Sequence, residues 1–149
     1  MATTALQIAN KIIQNTDTER GDIVSNLKLQ KLLYYLQGFH LAVFDKELFS
    51  EDFEAWQYGP VVPEVYHNFK EFGSWALEMK EENGIPELTE EQEDLFFQVM
   101  TEYGQFNAVK LMEMTHEEEP WKNAFVVPGS TIDKEALKSF FKTRIDDEN

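Results

Sequence analysis

At 149 residues, with 42% hydrophobic side chains and twelve Phe, the chain has one domain's worth of length and ample apolar material for a core. Its 28 acidic and 13 basic residues give a formal net charge of −15, a field that repels phosphate backbones and favours a basic protein partner over nucleic acid. The absence of cysteine excludes disulfides, thiol nucleophiles, iron–sulfur clusters and cysteine-based zinc sites.

The N-terminal MATTALQIANKII has no basic region leading into an apolar core and cleavage site, so no signal peptide is expected. Ala5, Ile8, Ala9, Ile12 and Ile13 recur at helical spacing, which predicts a first helix to about Asn15 with Thr3 or Thr4 as its N-cap. Residues 16–22 are polar, contain Gly21 and read as a loop. Ser25 or Asn26 then caps the helix around which the chain is organised. Leu29, Leu32, Leu33, Leu36, His40 and Val43 form one stripe, while Leu27, Tyr34, Gly38 and Leu41 occupy the other side. A helix apolar on most of its circumference is covered from several directions, and residues 27–44 would span about 27 Å. Lys28, Gln30, Lys31 and Gln37 interrupt this stretch, so no membrane span is expected, and the protein reads as cytoplasmic.

The helix is expected to stop near Asp45. FEAWQY at 53–58 is the best strand, with Glu54, Trp56 and Tyr58 on one face and residues 46–49 as its hairpin partner. Gly59-Pro60 is expected to end that strand, and Pro63 to open a helix carrying Val65, Tyr66, Phe69 and Phe72 up to Gly73. Residues 78–94 form the most acidic segment and read as a surface loop. Thr89 and Gln92 then make a capping box for a helix carrying Leu95, Phe96, Val99, Met100 and Tyr103, with Gly104 as C-cap. Asn107 caps a short helix with Val109, Leu111, Met112 and Met114. Val126-Val127 reads as an extended piece before the Pro128-Gly129 turn. Asp133 starts a last helix with Ala136, Leu137, Phe140 and Phe141, ahead of a frayed IDDEN tail. The fold class is mainly α (α+β): a single domain over 1–149, compact and helical around a central buried helix, with a small antiparallel β element.

The chemistry-bearing strings are few. In THEEEPW at 115–121, His116, Glu117 and Glu119 are the residue types of a metal site or an acid–base pair. No second histidine follows at His-Glu-x-x-His spacing, so zinc would need His40 or His67 from elsewhere. The same string also reads as a helix end, with Pro120 barring continuation, Trp121 packed on the core, and Thr115 or His116 bonding a free backbone group. His40 reads as a hydrogen-bonded core histidine. Lys31, Tyr34 and Tyr35 either line a groove or, for the tyrosines, belong to the core. Trp56 and Tyr58 form an aromatic face that is either covered or a binding surface. No phosphate loop, dinucleotide fingerprint or nucleophile elbow occurs, and no cofactor is implied.

Three strings carry a family resemblance: LKLQKLLYYLQGFHLAVF (27–44), FEAWQYGPVVPEVY (53–66) and THEEEPWKNA (115–124). In this order and spacing they resemble the Panacea domain family of SocA-like antitoxins and phage-associated GepA-like proteins. AW-x-YGPV and TH-x-E-x-PW are specific in combination, and the resemblance extends from the first helix to Phe140-Phe141. Leu36 stands where the family tends to carry a small residue after the tyrosine pair. The resemblance implies a mainly helical fold. It also implies a module that neutralises a protein toxin, usually encoded beside it on a prophage or other mobile element, by direct binding or by delivery to a protease. The residues expected at the partner surface are Lys31, Tyr34, Tyr35, Trp56, Tyr58, Gly59, Pro60, His116, Glu117 and Trp121. Among them, Gly59, Pro60 and Trp121 are expected to hold the fold. The competing expectations are a metal-dependent or acid–base enzyme using His116 with Glu117 or Glu119, and a phage accessory protein without a toxin.

Overall fold

The computed structural model describes residues 2–16, 23–73 and 75–146. The first-loop expectation for 17–22 and the last three tail residues lie outside them. Seven helices and a two-stranded antiparallel sheet are found among the described residues: α1 (Ala5–Gln14), α2 (Asn26–Phe44), β1 (Glu54–Trp56), β2 (Gly59–Val61), α3 (Pro63–Phe69), α4 (Glu90–Tyr103), α5 (Ala108–His116), α6 (Glu119–Ala124) and α7 (Lys134–Asp146). The fold is mainly α with a small β element, as expected.

Helix α2 is the hub, and α1, α3, α4, α5, α7 and β2 all pack on it. Leu29, Leu32, Leu33, Tyr34, Tyr35, Leu36 and Leu41 are buried on all sides of it. The α7 crossing is tight because Gly38 has no side chain. A Cβ there would lie 2.2 Å from the Phe141 ring, which therefore rests on the α2 backbone. Val43 departs from the stripe and is 48% exposed, because no element covers the last turn of α2 on that side.

The caps follow the sequence closely. Thr4 and Thr89 each close a reciprocal capping box, with Gln7 and Gln92, and Ser25 and Asn107 cap α2 and α5. Asp45 terminates α2 in the left-handed conformation at φ 61°. The acidic stretch 78–94 is mostly loop, but Asn10 pins it by donating to the Lys80 and Gly84 carbonyls and accepting from the Lys80 amide. Val109 faces solvent rather than the core, and so does Ala136. Residues 126–127 form part of a turn, not an extended piece, and their side chains are 81% and 65% exposed.

The hairpin differs from expectation. Residues 46–49 contain no strand. Instead Gly59-Pro60, expected to end the strand, opens its partner β2, with register Glu54↔Val61, Ala55↔Pro60 and Trp56↔Gly59. The reason lies on the other edge of β1. The Ala55 amide donates to the Ser130 carbonyl at 2.9 Å, and the Gly129 amide donates to the Ala55 carbonyl at 2.8 Å. Ala55 thus points its backbone groups away from β2. Pro60 faces it in a non-hydrogen-bonded pair, where a missing N–H costs nothing. Tyr58 belongs to the connecting turn rather than to the strand face.

Candidate functional site

Helix α2 carries five buried polar residues, Gln30, Lys31, Gln37, His40 and Asn26, and all hold later segments of the chain. Gln30 accepts from the Val62 amide at 2.9 Å and Asn26 donates to the Tyr66 carbonyl at 3.0 Å, fixing the start of α3. Gln37 donates to the Phe49 carbonyl and accepts from the Leu48 amide, both at 2.7 Å. His40 is a satisfied core histidine, as expected. Its Nδ1 meets the Lys46 carbonyl at 2.7 Å and so carries the proton, leaving Nε2 to accept from Gln92 Nε2 at 3.0 Å. Burial holds this imidazole below its usual pKa.

Lys31 is the most unusual member. The expected groove-lining lysine is completely buried, and its ammonium donates to the Pro60 carbonyl at 3.1 Å. Burial pulls its pKa from 10.5 to about 7. Gly59 lies directly above it, at φ +111°. A Cβ at Gly59 would come within 2.5 Å of Lys31 Cε and 2.9 Å of Thr115 Oγ1. The Tyr-Gly-Pro string is therefore a lid of bare backbone closing over the lysine.

The tyrosine pair is core as well, with both rings fully buried, so neither lines a groove. Tyr35 stacks on Tyr103 with centroids 4.1 Å apart and donates its hydroxyl to Glu118 Oε2 at 2.8 Å. Tyr34 packs edge-on against Phe53 and Phe141. Its hydroxyl faces the same carboxylate without reaching hydrogen-bond geometry, and both tyrosine hydroxyls are raised by burial and by Glu118. Glu118 is 5% exposed, and burial pushes its carboxyl up to about 7, against the opposing pull of Tyr35, Tyr34 and Arg144.

The second string continues from there. Helix α5 ends at His116, and Pro120 stands in the first turn of α6, a helix the sequence did not suggest. Thr115 bonds back to the Met112 carbonyl at 2.8 Å. Trp121 is sandwiched between His116 at 4.2 Å and Phe125 at 4.5 Å, and its indole N–H donates to the Trp56 carbonyl at 2.8 Å. Trp56 bonds the Glu54 carboxylate at 2.9 Å and lies edge-on to Tyr66. It is half-buried, whereas Tyr58 is 59% exposed and Glu117 faces solvent.

The ten expected site residues thus share one neighbourhood between α2, the hairpin and the α5–α6 corner, but most of them are interior. Glu118 is not among them: of the three consecutive glutamates, the sequence singles out only Glu117 and Glu119. The available signal was Pro120, which marks a helix start and makes Glu118 its N-cap. Among the described residues, no group of three or more His, Asp or Glu is placed to hold a metal ion, and no helix is long and apolar enough to cross a membrane.

The family model for the antitoxin SocA-like Panacea domain matches residues 29–122, more than half of the chain. The chain belongs to the SocA-like Panacea family. Antitoxin SocA of Caulobacter vibrioides (strain NA1000 / CB15N) is 30% identical over 120 residues, covering 73% of this chain. The match spans 64% of that relative's own length. No solved structure matches significantly. The matched stretch runs from α2 into α6. It therefore takes in the Lys31–Gly59–Pro60 lid and the Glu118–Tyr35 and Trp121–Trp56 links, and it leaves α1 and α7 outside.

Proposed function

We propose that this chain is an antitoxin that binds a basic protein toxin directly, without chemistry of its own. The observation that carries the reading is the fate of the Panacea strings. Their buried polar members Lys31, Glu118 and Trp121 are engaged in bonds that hold the fold, while the hairpin they brace presents Tyr58 and part of Trp56 to solvent. Lys31 secures the Pro60 carbonyl, Glu118 the Tyr35 hydroxyl, and Trp121 the Trp56 carbonyl. A rigid aromatic ledge on a braced turn is suited to anchor a partner, because its side chains lose little freedom on binding. The formal charge of −15 favours encounter with a basic protein. In this reading Gly59, Pro60, Lys31, Tyr34, Tyr35 and Trp121 support the surface, and Tyr58, Trp56 and Glu117 meet the partner.

The test is co-expression. The adjacent reading frame is induced alone, with this protein, and with a Tyr58→Ala variant of equal abundance, while growth and toxin level are followed. Relief of toxicity by the wild type, weakened in the variant, with the toxin level unchanged, supports direct neutralisation. Relief accompanied by disappearance of the toxin points to delivery to a protease. A harmless neighbour, or one that stays toxic, removes the antitoxin assignment.

A further inference from the structure

Helices α4 and α7 both pack on α2 but have at most marginal contact with each other. A cleft of about 930 Å³ lies between them. Its floor is the far end of α2, where Phe39 sits between Tyr103 of α4 at 5.8 Å and Phe141 of α7 at 4.8 Å, with Val43 one turn beyond. Two large apolar side chains in this cleft are left open to water, Phe97 at 49% and Val43 at 48% exposure.

The rims differ in charge. On α4, Asp94 and Glu102 are exposed, line the cleft and enter no ion pair among the described residues. They are eight residues apart, about 12 Å along one face. On the α7 side the lining charge is Arg144, whose guanidinium stands 4.8 Å over the Phe140 ring.

We propose that this cleft docks an amphipathic helix from a partner protein, apolar toward Phe97 and Val43 and basic along the edge facing α4. Open length between two helices with apolar groups on the floor and polar groups on the rims is helix-in-groove geometry. The acidic α4 rim selects Lys or Arg one or two turns apart on the incoming helix, and Arg144 opposite rejects a helix basic on both edges. A second copy of the chain fits poorly, because two bodies of −15 repel. The inference rests on the antitoxin reading only for the partner's identity, which would then be the toxin. The cleft would supply a second contact, separate from Tyr58.

The experiment uses the full chain, methyl-labelled for NMR, and two synthetic peptides of about 18 residues, roughly five turns. Both carry the same leucine stripe, one edged with lysine and the other with glutamate. The lysine peptide is expected to shift the Val43, Val99 and Ile145 methyls and the glutamate peptide to bind far more weakly. Phe97→Asp is expected to weaken the lysine peptide about tenfold or more, since it removes the aromatic surface of the seat and sets a carboxylate against the leucine stripe. The paired reversal Asp94→Lys/Glu102→Lys is expected to invert the preference between peptides. Both variants change exposed positions, and thermal melts confirm that they fold. Equal binding of the two peptides, or shifts centred elsewhere, overturns the proposal. So does concentration-dependent self-association that perturbs these same methyls and is abolished by Phe97→Asp. In the growth assay, wild-type failure to neutralise with peptide binding intact refutes the antitoxin reading alone. Full neutralisation by Phe97→Asp refutes the cleft as the toxin's seat.

Discussion

Replacing Lys31 with methionine isolates the cost of keeping an amine in this core. In the fold its pKa is about 7, against 10.5 when free, because burial removes the water that would stabilise its charge. That gap corresponds to about 5 kcal/mol of stability withheld while the group is protonated. The sign follows from proton counting. Between pH 7 and 10.5 the unfolded chain keeps the proton and the folded chain has released it. Stability therefore rises with pH across this window, and the full penalty applies below it. Methionine has similar length and no charge, but it leaves the Pro60 carbonyl without the donor now at 3.1 Å, a loss of about 1–3 kcal/mol. Lys31→Met is thus expected to be more stable than the wild type at about pH 6, and to lose about 3 kcal/mol of that advantage by about pH 9.5. Urea denaturation of both proteins at several pH values measures this. Taking the difference between them cancels the other titrating groups. A difference that stays constant with pH would show that the amine remains charged in the fold and would refute the burial argument.

Glu118 is expected to behave in the opposite sense: its pKa is raised from 4.5 to about 7, so the folded chain holds the extra proton. Stability falls by about 3 kcal/mol as pH rises from 4.5 to 7, and Glu118→Gln, which still accepts from Tyr35, removes that slope in the same urea series. Gly59→Ala should cost about 2–3 kcal/mol, because it combines φ +111° with a contact at 2.5 Å to Lys31 Cε; an equally stable variant in thermal melts would show that the lid yields freely. On the proposed antitoxin reading, association with a basic toxin should slow steeply as salt is added, since exposed charges more than about 10 Å apart are screened at 0.1 M. Stopped-flow association rates that ignore salt would rule out steering by the acidic surface.

What the sequence disclosed was set by local chemistry. Capping boxes at Thr4 and Thr89, the leucine spacing of α2 and Pro63 at the head of α3 each act within a few residues, and each was legible. The hairpin was misread because its decisive partner is distant. Only the hydrogen bonds of Ala55 to Gly129 and Ser130 reveal that Pro60 occupies a position needing no amide. Lys31 deceived for a related reason: lysine is rarely buried, and nothing local announces that Gly59 will close over it. Glu118 sits between two solvent-facing glutamates, and only the helix begun by Pro120 turns it inward.

These buried polar residues have a shared consequence for how variants should be judged. Lys31, Gln30, Gln37 and Glu118 link α2 to segments that follow by 11 to 83 residues, and Trp121 links α6 back to β1 across 65 residues, so each closes a loop. These directional bonds penalise register errors, because a displaced segment would leave a buried donor or acceptor without its partner. Loss of the proposed partner binding on mutating the buried residues of the family strings would therefore report loss of the frame and come with a lower melting temperature. Tyr58, Phe97, Asp94 and Glu102 lie outside that frame and can lose partner binding with the melt unchanged.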